Sequence, residues 1–305
     1  MHLSTNDRRN YLIGFVLIIF MVSCATLLND LEIILPEIGA LTAGTWIYQN
    51  DGWIHQPLKI FLAPSGTAII GFLINQLNIG YAQKVLLGLL LMLALLRLLK
   101  SNLAPSFATG LLPIIINATH WSFIGAILLF TAILTVGVLV QKSYQDTQAS
   151  PTIQNKHMVI FTIMAILWVG GVWFFGFSQM AAIPPVMVVF FEVLQKPNYS
   201  WQMASKHFIA LVGAATIGVF VHLLVSSWIL SALISLPLVF VLLQILRIKL
   251  PAAFAFPLLA LVLPTDMFHM LPITAIIATT FFLGSMVILK KIVNNYRLAQ
   301  QINND

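Results

Sequence analysis

One carboxylate and a handful of hydroxyls are the residues able to do chemistry here. Glu37 follows Pro36 directly, inside the apolar stretch Ile33–Ile47. An ionisable group at membrane depth is costly and usually functional. Beside a proline it would sit at a helix interruption, where freed backbone groups can meet a ligand. The alternatives are that Glu37 snorkels to an interface or pairs with a lysine elsewhere. Ser106 and Thr109 follow Pro105, and Ser65 and Thr67 follow Pro64. A half-helix with its N-terminus aimed into the protein presents unpaired N–H groups and a positive dipole end. Hydroxyls there would add donors, and the combination binds an anion without a buried lysine. Each hydroxyl could instead bond back to its own helix. With the Pro184-Pro185 pair, the expected substrate-binding set is Pro36, Glu37, Ser65, Thr67, Ser106, Thr109, Pro184 and Pro185.

Other candidates carry less. Asp30, Glu32 and Glu192 lie near segment ends and read as solvated. Asp266 and His269 are three apart with no third ligand nearby, so no metal is expected. The P-loop, GxSxG, HExxH and CxxC patterns are absent, so no cofactor or soluble-enzyme chemistry is expected. Trp46, Trp53, Trp121 and Trp201 fall near segment ends and read as interfacial anchors.

The elements that must position these residues are membrane helices. The chain is 60% hydrophobic and 8% charged, with a mean hydropathy of +0.97. Soluble domains carry roughly 25% charged residues. Twelve apolar stretches run along it. Eight approach the roughly 20 residues a spanning helix needs, and four are shorter and marked by Pro36, by Pro105 and Pro113, by Pro184 and Pro185, and by Pro251 and Pro257. The longest polar stretch, residues 141–157, divides the chain. An offset of 147 residues, the separation of Lys59 and Lys206, also pairs Gly71 with Gly218, Phe107 with Phe254 and Gly137 with Gly284. The same offset places short stretches on short stretches. It pairs the first apolar stretch with one in mid-chain, which argues against a signal peptide despite Arg8 and Arg9.

The expected fold is therefore all-α and polytopic, with about twelve membrane segments in two parallel repeats, residues 1–147 and 148–305. With all twelve crossing, every lysine and arginine except Lys84 falls on one side. By the positive-inside rule both termini are cytoplasmic, in what reads as a bacterial cytoplasmic membrane. The net charge of +6 is explained by that placement and does not point to nucleic acid.

The run Leu103-Ala104-Pro105-Ser106-Phe107-Ala108-Thr109-Gly110-Leu111-Leu112 resembles the signature of the HPP family of integral membrane proteins, which reads roughly His-Pro-Pro-Ala-Gly-Ala-Thr-Ala-Leu-Leu. Leu250–Leu259 resembles it in the second half, and Ile183-Pro184-Pro185 with residues 206–213 is similar to that family's earlier segments. Leu103 and Leu250 stand where the signature carries His, and Phe107 and Phe254 where it carries Gly. The resemblance makes each half one HPP-like unit. Some members look like nitrite transporters of plastids and cyanobacteria, so it implies transport of a small anion. The missing His leaves the anion's identity open.

Together these readings point to a transporter of a small solute, foremost a small anion, bound between broken helices of the two repeats. Its partners would be the lipid bilayer and the solute, with room for a homo-oligomer. Two alternatives stay open: a membrane-embedded enzyme acting on a lipid or polyprenyl substrate through Asp30, Glu32 and Glu37, and a non-catalytic subunit of a membrane complex.

Overall fold

A computed structural model describes residues 5–145, 147, 154–196 and 198–302, and all their regular structure is helical. In chain order, α1 (Thr5–Leu28) leads to α2 (Pro36–Thr42), which continues through a π-helical turn, Ala43–Ile47. The one-turn α3 (Asp51–Ile54), α4 (Pro57–Asn75), α5 (Tyr81–Leu98), α6 (Pro105–Ile115) and α7 (Trp121–Gln141) follow. Beyond residue 154 come α8 (Asn155–Phe174), α9 (Pro184–Gln195), α10 (Trp201–Leu224) and α11 (Trp228–Leu246). The chain ends with α12 (Ala255–Val262), which grows out of a 3-10 turn at Pro251–Phe254, then α13 (Thr265–Phe268) and α14 (Leu271–Ile302).

Among the described residues eight helices are long and apolar enough to cross a membrane: α1, α4, α5, α7, α8, α10, α11 and α14. In hydrocarbon a backbone must satisfy its own polar groups, and a helix does so within one segment. Their outer faces carry large apolar side chains such as Leu12, Val16 and Phe20 on α1 and Phe220 and Leu223 on α10. Facing lipid, these need no cover.

The interior is built differently. The α6 and α9 helices have 11 and 12 residues, about 16–18 Å at 1.5 Å per residue. That is well short of a hydrocarbon core of about 30 Å. The α2 helix packs against the 251–254 turn and α12, α9 packs against α6, and α6 lies against α4 and α5. Almost every residue of these short helices is buried. The long helices surround them, with α1 packing on α11 and α8 on α5.

The prolines act otherwise than as breaks. Pro36, Pro105, Pro184 and Pro251 each stand in the first turn of their helix or turn. A proline there forfeits no intrahelical hydrogen bond. Leu35, Ile183 and Leu250 before them are non-helical, a bias that proline imposes on its predecessor. The short helices are short because the chain enters them late. The prolines inside helices are Pro64, Pro113 and Pro237.

Backbone details recur at the offset of 147. Lys100 and Arg247 both adopt positive φ at a helix end, 49° and 55°, as do Asn29 and Gly176 at 50° and 81°. At each, two bonds close the last turn in the Schellman pattern. Lys100 N–H donates to Arg97 and Ser101 N–H to Leu96, and Arg247 and Ile248 do the same toward Gln244 and Leu243. The 3-10 turns Leu31–Ile33 and Ser178–Met180 match as well. A Cβ built on Gly66 would meet Leu95 Cδ2 at 2.7 Å, and one on Gly213 would meet Leu242 Cδ2 at 2.7 Å.

Candidate functional site

The short helices meet around an aromatic cluster. Phe107 of α6 lies 4.9 Å from Phe161 of α8 and 4.7 Å from Phe191 of α9, centroid to centroid. Phe190 of α9 lies 5.9 Å from Phe161 and 5.0 Å from Phe282 of α14. Ring contacts of this kind add roughly 0.5–1.5 kcal/mol each beyond area burial. They hold α6 and α9 together in a packed aromatic centre.

The polar residues expected to form one site fall in separate places around that centre. Thr67 on α4 and Thr109 on α6 share a hydrogen bond of 2.6 Å between hydroxyls. Both also reach backbone carbonyls, Thr67 those of Ala63 and Pro64 and Thr109 that of Ser106. Ser65 meets Thr131 of α7 at 3.3 Å. These three therefore zip α4 to α6 and α7, and that is their visible role. Pro36, Pro184 and Pro185 start their helices.

Two members of the set are different. The Glu37 side chain is buried at 1% exposure, and its Oε1 has no hydrogen-bond partner. No lysine pairs with it, and it does not snorkel. The Ser106 hydroxyl is fully buried and also unpartnered, as is that of Thr42, later on α2. An unsatisfied buried polar group costs about 1–3 kcal/mol, so the fold carries these three at a loss.

Several sequence expectations are corrected. Glu192 is not a solvated end: its Oε1 is buried and unpartnered on α9. Glu32 is not free either. Its two oxygens accept the Thr119 and His120 N–H groups at 2.9 Å each, so it caps α7 from across the fold, with His120 Nδ1 at 3.3 Å. Asp30 caps the turn beginning at Leu31 by accepting the Glu32 N–H. These bonds tie Asp30 and Glu32 to helix ends. Trp46 and Trp53 are buried, at 8% and 5%, while Trp121 and Trp201 are exposed. Trp53 lies over Gly44, and Trp46 lies over Gly137 with its Nε1–H donating to Leu134. A buried pair escaped sequence reasoning altogether: Tyr199 and His207, whose hydroxyl and Nδ1 lie 3.1 Å apart. Nothing local in the sequence marks that contact.

Four cavities lie away from this centre. One of about 690 Å³ is lined by Asp30, Glu32, His120 and Trp228, and one of about 440 Å³ by Tyr81, Gln83, Trp173 and Ser178. The two lie 147 residues apart in sequence terms, Tyr81 matching Trp228 and Leu31 matching Ser178. A groove of about 310 Å³ runs between α10 and α14, and a pocket of about 20 Å³ lies between α3 and the α5–α6 connection. Glu37, Ser106 and Thr109 line none of these four. Among the described residues no group of three His, Cys, Asp or Glu side chains converges as a metal site would.

Eight apolar spanning helices around a core of half-length helices define a polytopic α-helical membrane protein. Comparison of the chain with protein-family models, with curated proteins and with solved structures finds no match.

Proposed function

We propose that this chain transports a small solute, foremost a small anion, along the seam where the four short helices meet. In this reading residues 1–147 and 148–305 are two parallel repeats, each one HPP-like unit, giving twelve membrane segments with both termini in the cytoplasm. One observation carries the reading. Glu37 Oε1 and the Ser106 hydroxyl are buried and without a hydrogen-bond partner on two of the half-length helices. Polar groups kept at a cost inside membrane segments mark solute or proton paths, and half-length helices line such paths in transporters. The aromatic centre then acts as the closed gate, and rocking of α6 against α9 opens it. Glu37 carries a coupling proton or orients the donors. The enzyme reading is weaker, because Asp30 and Glu32 are occupied as caps.

The deciding experiment is uptake of candidate anions, nitrite and halides among them, into proteoliposomes. Wild-type protein is expected to show saturable uptake, and Glu37→Gln to lose most of it with a melting temperature near that of wild type. Normal uptake by Glu37→Gln would remove the mechanism. Topology is tested separately in a Cys24→Ser background. A cysteine at Asn78, between α4 and α5, should react with an impermeant thiol reagent on intact cells, and one at Lys100 should be protected. Reaction at Lys100 would overturn the twelve-segment arrangement.

A further inference from the structure

We infer that the small pocket between α3 and the α5–α6 connection is a binding site for a small inorganic anion, distinct from the transport seam. Its walls are polar and basic: His55, Gln56, Lys59, Lys100, Ser101 and Asn102 all line it, and no carboxylate does. Lys59 and Lys100 therefore both line one small pocket. Lys59 Nζ donates to the Lys100 carbonyl oxygen, which fixes that ammonium in the wall and leaves it further N–H groups to offer. Among the described residues no carboxylate lies within ion-pair distance of either lysine. His55 is held in place by Thr147, whose carbonyl and hydroxyl oxygens both lie 3.2 Å from its Nδ1. Thr147 thus braces one of the lining residues of this pocket.

Uncompensated like charges around a cavity repel, and an anion between them removes the repulsion while accepting charge-assisted hydrogen bonds. The pocket is small, and its size suits a single inorganic anion such as a halide or nitrite.

Lys100 provides a clean variant. It adopts φ of 49°, a left-handed conformation that glycine takes without strain. Lys100→Gly therefore removes the ammonium while keeping the turn and the carbonyl that receives Lys59. Lys59→Gln is the second variant. The measurement is the melting temperature of the purified full-length protein at constant ionic strength, with gluconate replaced stepwise by chloride or by nitrite. Binding to the folded state raises the melting temperature by mass action. A saturable rise of about 2–4 °C is expected at tenfold excess over Kd. In Lys100→Gly combined with Lys59→Gln the rise should vanish, although the gluconate baseline stays within a degree or two. A wild-type curve flat for both chloride and nitrite, or an equal rise in the double variant, would overturn the site. No gradient or uptake enters this readout, so binding without transport defeats only the transport reading, and transport without binding defeats only this one.

Discussion

Gly71→Ala is expected to destabilise the protein severely, by at least the upper end of the roughly 1–3 kcal/mol that overpacking costs. A Cβ at Gly71 would lie 1.8 Å from the Gly110 carbonyl oxygen, so α4 and α6 cross at backbone contact. Neither side can yield by rotating a side chain. Close approach through small residues is how membrane helices associate without a hydrophobic driving force between them. The counterpart position gives a graded comparison. At Gly218 the added carbon meets Pro257 Cα at 2.8 Å, and α10 and α12 must separate less. Gly66 and Gly213 meet only the ends of Leu95 and Leu242, which can turn aside. Gly125 has open space, so alanine there should be neutral or better. Melting temperatures in one detergent should therefore fall in the order Gly125→Ala, Gly213→Ala, Gly218→Ala, Gly71→Ala. A Gly71→Ala protein as stable as Gly125→Ala would show that α4 and α6 do not cross as described.

What sequence reading could reach is set by how local each rule is. The eight long helices were legible because apolarity and bilayer length act on one segment at a time. The four short ones were legible as short from their apolar lengths and prolines, and in three of them the residue before proline, Leu35, Ile183 or Leu250, is non-helical as the rule expects. The role of those prolines was not, because position N1 and mid-helix differ only by where the helix begins. Depth of burial was also out of reach. Trp46 and Trp53 have the same apparent setting as Trp121 and Trp201, and only the presence of Gly137 and Gly44 opposite them buries the first pair. Glu32 could not be read as a cap for α7, nor Tyr199 as the partner of His207, without knowing which segments touch. Thr67 and Thr109, grouped as site residues by their prolines, do meet, but as a bond between helices.

Glu37→Met should raise the melting temperature while abolishing uptake, and that opposition separates function from structure most sharply. Methionine matches glutamate in length and exceeds it by only about one methylene group in volume, so most of the packing between α2 and α12 should survive the change. It removes a buried oxygen that lacks a partner, and with it a penalty of about 1–3 kcal/mol. Replacing buried polar or charged groups with well-packed apolar ones is often neutral or stabilising. A residue held only for architecture would respond the other way. Were Glu37 quietly bonded to a neighbour, methionine would orphan that neighbour and lower stability by a similar amount. A stability gain with lost function is the mark of a group retained for chemistry against the interest of the fold. The control is Thr67→Val, which breaks the 2.6 Å bond to Thr109 and should lower the melting temperature, since a hydroxyl of known partnership is lost. If Glu37→Met instead melts lower than wild type and transports normally, Glu37 belongs to the scaffold and the seam loses its one ionisable group on α2.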